Sequence, residues 1–135
     1  MYKNILLPVV ADGLHDTQAS FLVARALADE NAQFVVVHVL EDIPTYAMVG
    51  LDSDMLNTSR DKAERDLKSL AAALPGARTA LLSGNAGREI VDFAADNNID
   101  CIVMASHQPG LEDYFLGSTA ARVVRHAKCS VHVIR

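Results

Sequence analysis

The sequence predicts a doubly wound α/β protein, a five-stranded parallel sheet with helices on both faces. Three observations predict it. Short, continuous apolar runs such as Phe34-Val35-Val36-Val37-His38-Val39-Leu40 have the length and composition of strands buried on both faces. Segments with apolar residues at helical spacing alternate with these runs along the chain. At 135 residues, half of them hydrophobic and 21% charged, the chain suits one packed core and one domain over residues 1–135.

Asn4 to Val10 is the first apolar run of strand length. From Asp16 to Asn31 the residues Phe21, Leu22, Ala24, Leu27 and Ala28 recur at helical spacing, with Asp16 or Thr17 as N-cap. Gln33 to Leu40 is the second strand. Leu56 to Leu74 reads as a helix with Ala63, Leu67, Leu70, Ala71 and Leu74 on one face, stopped by Pro75-Gly76. Arg78 to Ser83 is the third strand. Gly84-Asn85-Ala86-Gly87 then turns into a helix bearing Ile90, Val91, Phe93 and Ala94, which Asn97-Asn98 ends. That turn lacks the third glycine of a dinucleotide fingerprint and follows the third strand, so it reads as structural. Asp100 to Ala105 is the fourth strand, Ser118 to Lys128 the last helix, and Cys129 to Ile134 the fifth strand.

Composition excludes several classes. A net charge of −5, with basic residues scattered, does not suit a nucleic-acid or anionic membrane partner. No apolar run approaches the ~18 residues of a membrane span, and the N-terminal run is broken by Pro8 and reads as a strand rather than a signal. Cys101 and Cys129 lie in apolar strands and read as buried free thiols, which points to a reducing, cytoplasmic setting. Five scattered histidines and two cysteines propose no metal cluster. His38 and His132, within strands, read as packing residues. No P-loop, nucleophile elbow or zinc-protease helix occurs.

In an open doubly wound sheet, ligands sit beyond the carboxyl ends of the strands. Two connections there are long, Glu41 to Met55 and Ser106 to Gly117. Tyr46, Met48, Val49, Leu51 and Met55 in the first suit a lid, a subunit contact or a fold-back onto the core. The second ends in Gly117-Ser118-Thr119 before a helix, whose free N–H groups and dipole suit a phosphate. The same residues also suit a plain turn glycine with Ser118 as N-cap.

The stretch from Cys101 to Arg135, with Ala105-Ser106-His107 before the loop and Leu116-Gly117-Ser118 after it, resembles the C-terminal signature of universal stress proteins. Tyr2 to Val9 is similar to that family's first strand and Val37-His38-Val39 to its second. The resemblance is to small bacterial members of an Ala-Ser-His subgroup. It implies a Rossmann-like sheet of strand order 3-2-1-4-5, a homodimer formed through the C-terminal strand Cys129 to Arg135, and ATP or AMP as ligand, with magnesium as an optional companion. Carried over by position, Pro8 and Val39 flank the adenine, with Val9 and Val10 beside them. Met104, Ala105, Ser106, His107 and Gln108 line the ribose and the loop entry, and Gly117, Ser118, Thr119 and Ala120 take the phosphates. The family's Gly-x2-Gly-x9-Gly-Ser/Thr loop is altered here. Ala105 and Gln108 replace its first two glycines, eight residues separate Gln108 from Gly117, and Val10 stands where many binders carry Asp.

The resulting expectation is an adenine-nucleotide-binding regulator of the stress response with no catalytic residues and at most weak ATPase activity, since no general base or magnesium-binding acidic cluster stands out. The alternatives are a slow ATP hydrolase or phosphotransferase, and an interaction protein whose altered loop has closed the pocket.

Overall fold

The computed structural model describes residues 1–10, 17–41, 53–106 and 116–135. Its elements in chain order are β1 (Tyr2–Pro8), α1 (Gln18–Leu27), β2 (Ala28–Leu40), α2 (Ser53–Ala71), β3 (Arg78–Ser83), α3 (Ala86–Asp96), β4 (Cys101–Ala105), α4 (Ser118–His126) and β5 (Ser130–Ile134). The five strands form one parallel sheet in the order β3-β2-β1-β4-β5.

Side-chain alternation in the central strands builds two cores. On one face Ile5, Leu7, Val36, Cys101 and Val103 meet Phe21 and Ala24 of α1 and Leu67 and Ala71 of α2. On the other, Leu6, Val35, Val37, Ile102 and Met104 meet Ile90 and Ala94 of α3 and Ala120 and Val123 of α4. Burial on both faces is why these strands are apolar at every position. It also holds the Cys101 thiol in its neutral form, its pKa pushed up to about 11 mainly by desolvation. Cys129 is half-buried and likewise raised, with desolvation again the leading cause. No helix among the described residues is long and apolar enough to cross a membrane.

Several boundaries differ from the sequence expectation. Ala28 to Asn31, expected to be helical, open β2 instead, because Ala28 pairs with Tyr2 of β1 and tertiary pairing overrides local propensity. The ladder is irregular between Tyr2 and Asn4. Asp100 secures it there: its carboxylate accepts the Lys3 and Asn4 amides at 2.8 and 3.0 Å, and its own amide donates to the Asn4 carbonyl. The expected helix end at Leu74 falls instead at Ala71. Pro75 disfavours helical backbone at the residue before it, so Ala73 and Leu74 close tighter i→i+3 turns onto Leu70 and Ala71. Thr17 is the N-cap of α1, but its side chain makes no capping bond. Asp16 lies outside the described residues, as do Tyr46, Met48, Val49 and Leu51, while Met55 is exposed on α2.

The Gly84 to Gly87 turn works as expected structurally. Gly84 takes φ +129, Asn85 Oδ1 caps α3 by accepting the Arg88 amide at 3.0 Å, and Gly87 lets α3 approach α4. A Cβ at Gly87 would lie 2.7 Å from Arg122 Cδ and 3.0 Å from Arg122 Cβ. Gly87→Ala is therefore expected to cost roughly 1–3 kcal/mol through overpacking, read as a lower urea midpoint. An unchanged midpoint would contradict this account of the helix contact.

Candidate functional site

The chain adds β2 and β3 on one side of β1, then crosses to add β4 and β5 on the other. α1, which follows β1, and α4, which follows its neighbour β4, leave on opposite faces, and a crevice opens between them at the carboxyl ends. Here it is a cavity of about 380 Å³, inside the range of ~300–1,000 Å³ usual for small-molecule sites. Its floor is the end of three strands: Pro8, Val9 and Val10 after β1, Val37, His38, Val39 and Glu41 at β2, and Met104, Ala105 and Ser106 at β4. Its walls are the first turns of three helices: Thr17 and Ser20 of α1, Ala86 and Ile90 of α3, and Gly117, Thr119 and Ala120 of α4. The surface is largely apolar, with polar groups at a few points.

The backbone at the end of β1 departs from a regular ladder. Val9 donates its amide to the Val37 carbonyl at 2.8 Å, so the polar backbone groups of Val37 face β1. Two residues on, the Val39 amide faces the same side. Its regular ladder partner would be the Val9 carbonyl, but that oxygen instead accepts from His38 Nδ1 at 3.0 Å. No hydrogen bond joins the Val39 amide to Val9. A donor thus projects past the end of β1 at the cavity floor. Because a carbonyl only accepts, the His38 proton sits on Nδ1 in the neutral ring.

On the opposite wall, Ser106 Oγ accepts the amide of Gly117, the N-cap of α4, at 2.9 Å. The Ser106 amide donates to Ile134 of β5 at 2.8 Å. Ser106 thereby pins the two ends of the 107–116 connection together and holds the α4 N-terminus over β4. Gly117 has φ −58, a backbone that any residue adopts.

Among the residues singled out from sequence, Pro8, Val9, Val10, Val39, Met104, Ala105, Ser106, Gly117, Thr119 and Ala120 share this cavity. Ser118 does not: it is exposed and off the cavity wall, and Gly117 rather than Ser118 is the N-cap. With Thr119 and Ala120 facing inward, helical geometry turns the Ser118 side chain away. His107 and Gln108 lie outside the described residues. Sequence reasoning missed Thr17, Ser20, Val37, His38, Glu41, Ala86 and Ile90. His38 is more than the packing residue expected, since its ring lines the cavity as well as bonding Val9. The carboxyl-end rule was the available signal for Thr17, Glu41 and Ala86, which all follow strand ends. No group of three or more potential metal ligands occurs among the described residues.

Fold and crevice define a class, a doubly wound α/β protein with a cavity of small-molecule size at its topological switch point. The family model described as "Universal stress protein family" matches residues 1–135, and the chain belongs to that family. It is 32% identical over the whole of both chains to a Thermus aquaticus protein named universal stress protein in QAH/OAS sulfhydrylase 3'region. Among solved structures, universal stress protein UspA from Lactobacillus plantarum is 30% identical with a TM-score of 0.73, covering 99% of this chain and 98% of that one. The hypothetical protein MJ0577 shares the fold at a TM-score of 0.82 and 22% identity, covering 99% of this chain and 96% of that one. Three further structures with this fold, 15–19% identical with TM-scores of 0.57–0.62, are complexes: a universal stress protein with cAMP, one from Archaeoglobus fulgidus with dAMP, and one from Arabidopsis thaliana with AMP.

The Ser106 clamp is directly testable. Ser106→Ala is expected to cost about 1 kcal/mol and to speed hydrogen exchange at the Gly117 amide selectively. Unchanged exchange at Gly117 would show that the bond does not hold the helix start.

Proposed function

We propose that the protein binds an adenine nucleotide, AMP or ATP, in this crevice and acts as a regulator of the stress response rather than as an efficient enzyme. The observation that carries the reading is the Val39 amide at the cavity floor, which makes no bond to Val9 and has no hydrogen-bond partner past the end of β1 among the described residues, in the same cavity as the N-terminus of α4. Adenine N1 is a hydrogen-bond acceptor, whereas N1 of guanine carries a proton. A backbone donor at Val39 therefore favours adenine, with Pro8 and Val9 against the ring. Ala105 and Ser106, with His107 and Gln108, border the ribose. The first turn of α4 offers the phosphate its free amides, with the Thr119 hydroxyl in place of that of Ser118. ATP would bring magnesium with it. Complexes of more distant relatives with AMP, dAMP and cAMP support the choice of ligand. Val10 and Ala105 line a cavity of about 380 Å³, so neither departure fills it, which favours this reading over one with a pocket closed at those two positions.

Saturating AMP should raise the melting temperature by several degrees, since ligand at 100 times its dissociation constant stabilises by about 2.7 kcal/mol. GMP should give a clearly smaller shift. Gly117→Val should abolish the AMP shift while the protein still melts cooperatively, because the backbone at φ −58 accepts a side chain while a β-branched one would block the approach of phosphate to the cavity-lining backbone. Equal shifts for parent and variant would place the phosphate elsewhere.

The reading includes a homodimer through β5. This strand lies at the outer edge of the sheet, and its half-buried Val131, Val133 and Ile134 leave an apolar edge that pairing would cover. Sedimentation at micromolar concentration should return a dimer or a multiple of it, and a clean monomer rejects the assignment.

A further inference from the structure

The charge around the crevice is one-sided. Glu41 carries a carboxylate on the wall, and no lysine or arginine lines the cavity among the described residues. The sequence extends this beyond the described wall. No lysine or arginine occurs between Lys3 and Arg25, between Arg25 and Arg60, or between Arg88 and Arg122. Those stretches contain every described lining residue except Ala86. The basic residues that bound them are committed elsewhere. Arg25 donates to the Ala73 carbonyl, and Arg60 to Ser83 Oγ at 3.2 Å. Arg88 sits 3.9 Å from Asp92, and Arg122 lies across Gly87.

The one charged side chain along the described wall is therefore the carboxylate of Glu41. Beside it stands the α4 N-terminus, equivalent to roughly half a positive charge. That suits one phosphate group. It does not balance a metal-free triphosphate.

We infer that the crevice selects adenine nucleotides of low phosphate charge, taking AMP ahead of metal-free ATP and accepting the triphosphate only when a divalent cation has reduced its charge. The inference rests on the nucleotide-binding reading above and adds the charge class of the ligand. Calorimetric titration at pH 8, where histidine is largely neutral, separates the two. The ligands are adenosine, AMP, ATP with chelator and ATP with excess magnesium, each at low and at 0.5 M sodium chloride. At low salt, metal-free ATP is expected to bind at least about fivefold more weakly than AMP, from two further charges beside Glu41 with no lysine or arginine along the described wall to meet them. Magnesium should bring ATP to within about twofold of AMP, and both 0.5 M salt and Glu41→Gln should narrow the gap. Metal-free ATP binding as tightly as AMP overturns the inference while leaving the nucleotide reading intact. A gap of full size at 0.5 M salt also overturns it, since room rather than charge would then discriminate. If adenosine, AMP and both forms of ATP all fail to bind, the nucleotide reading itself falls.

Discussion

Strand β1 is hydrogen-bonded to β2 along one edge and to β4 along the other, with Ile5, Leu6 and Leu7 fully buried between the two helical layers. The crevice exists because of that double pairing. β1 stops at Pro8 while β2 runs on to Leu40, so the floor steps down where the strand order reverses. A slip of one residue in β1 would exchange Leu6 with Ile5 and Leu7 between the two cores and move Pro8 relative to Val37. Asp100 guards against this by holding the irregular start of β1 through three hydrogen bonds.

Above this floor the polar groups are largely spent on one another. His38 occupies the Val9 carbonyl, Ser106 occupies the Gly117 amide, and Asn85 occupies the Arg88 amide. These bonds fix three strand or helix ends at the cavity without leaving an unpaired buried side-chain atom among the described residues. In the proposed complex, what remains for the nucleotide is mainly backbone: the Val39 amide and the first turn of α4. Recognition by backbone depends on geometry more than on side-chain identity. Ala105, which replaces a loop glycine of the family, and Val10, which replaces the acid many binders carry after the first strand, accordingly both still line the cavity.

The elements that were legible in the sequence are those whose pattern is local. The runs at Leu6, Val35 to Val37 and Ile102 to Val103 are apolar at every position because both sheet faces are covered, and that density marks them without any structure. The resemblance in the C-terminal third located Ser106 and Gly117, and strand-end reasoning located Pro8 and Val39. Ala28 to Asn31 misled because Asp29, Glu30 and Asn31 carry no strand signal of their own and lie in the irregular stretch between the pairs Tyr2–Ala28 and Asn4–Gln33. Ser118 misled because a helix start two residues wide can be read in either phase until the buried face is known.

The sequence by itself determined the alternation of strands and helices, the two apolar faces, and the absence of basic residues from the segments that lead to the crevice. These follow from side-chain period and covalent order, which need no distant partner. Tertiary structure alone decided that His38 bonds Val9, that Ser106 holds Gly117, and that Thr17, Ser20 and Ala86 share a wall with Val39. Each of these joins positions far apart in the chain. Their meeting depends on which strands lie side by side and where each one ends, and no local pattern encodes that.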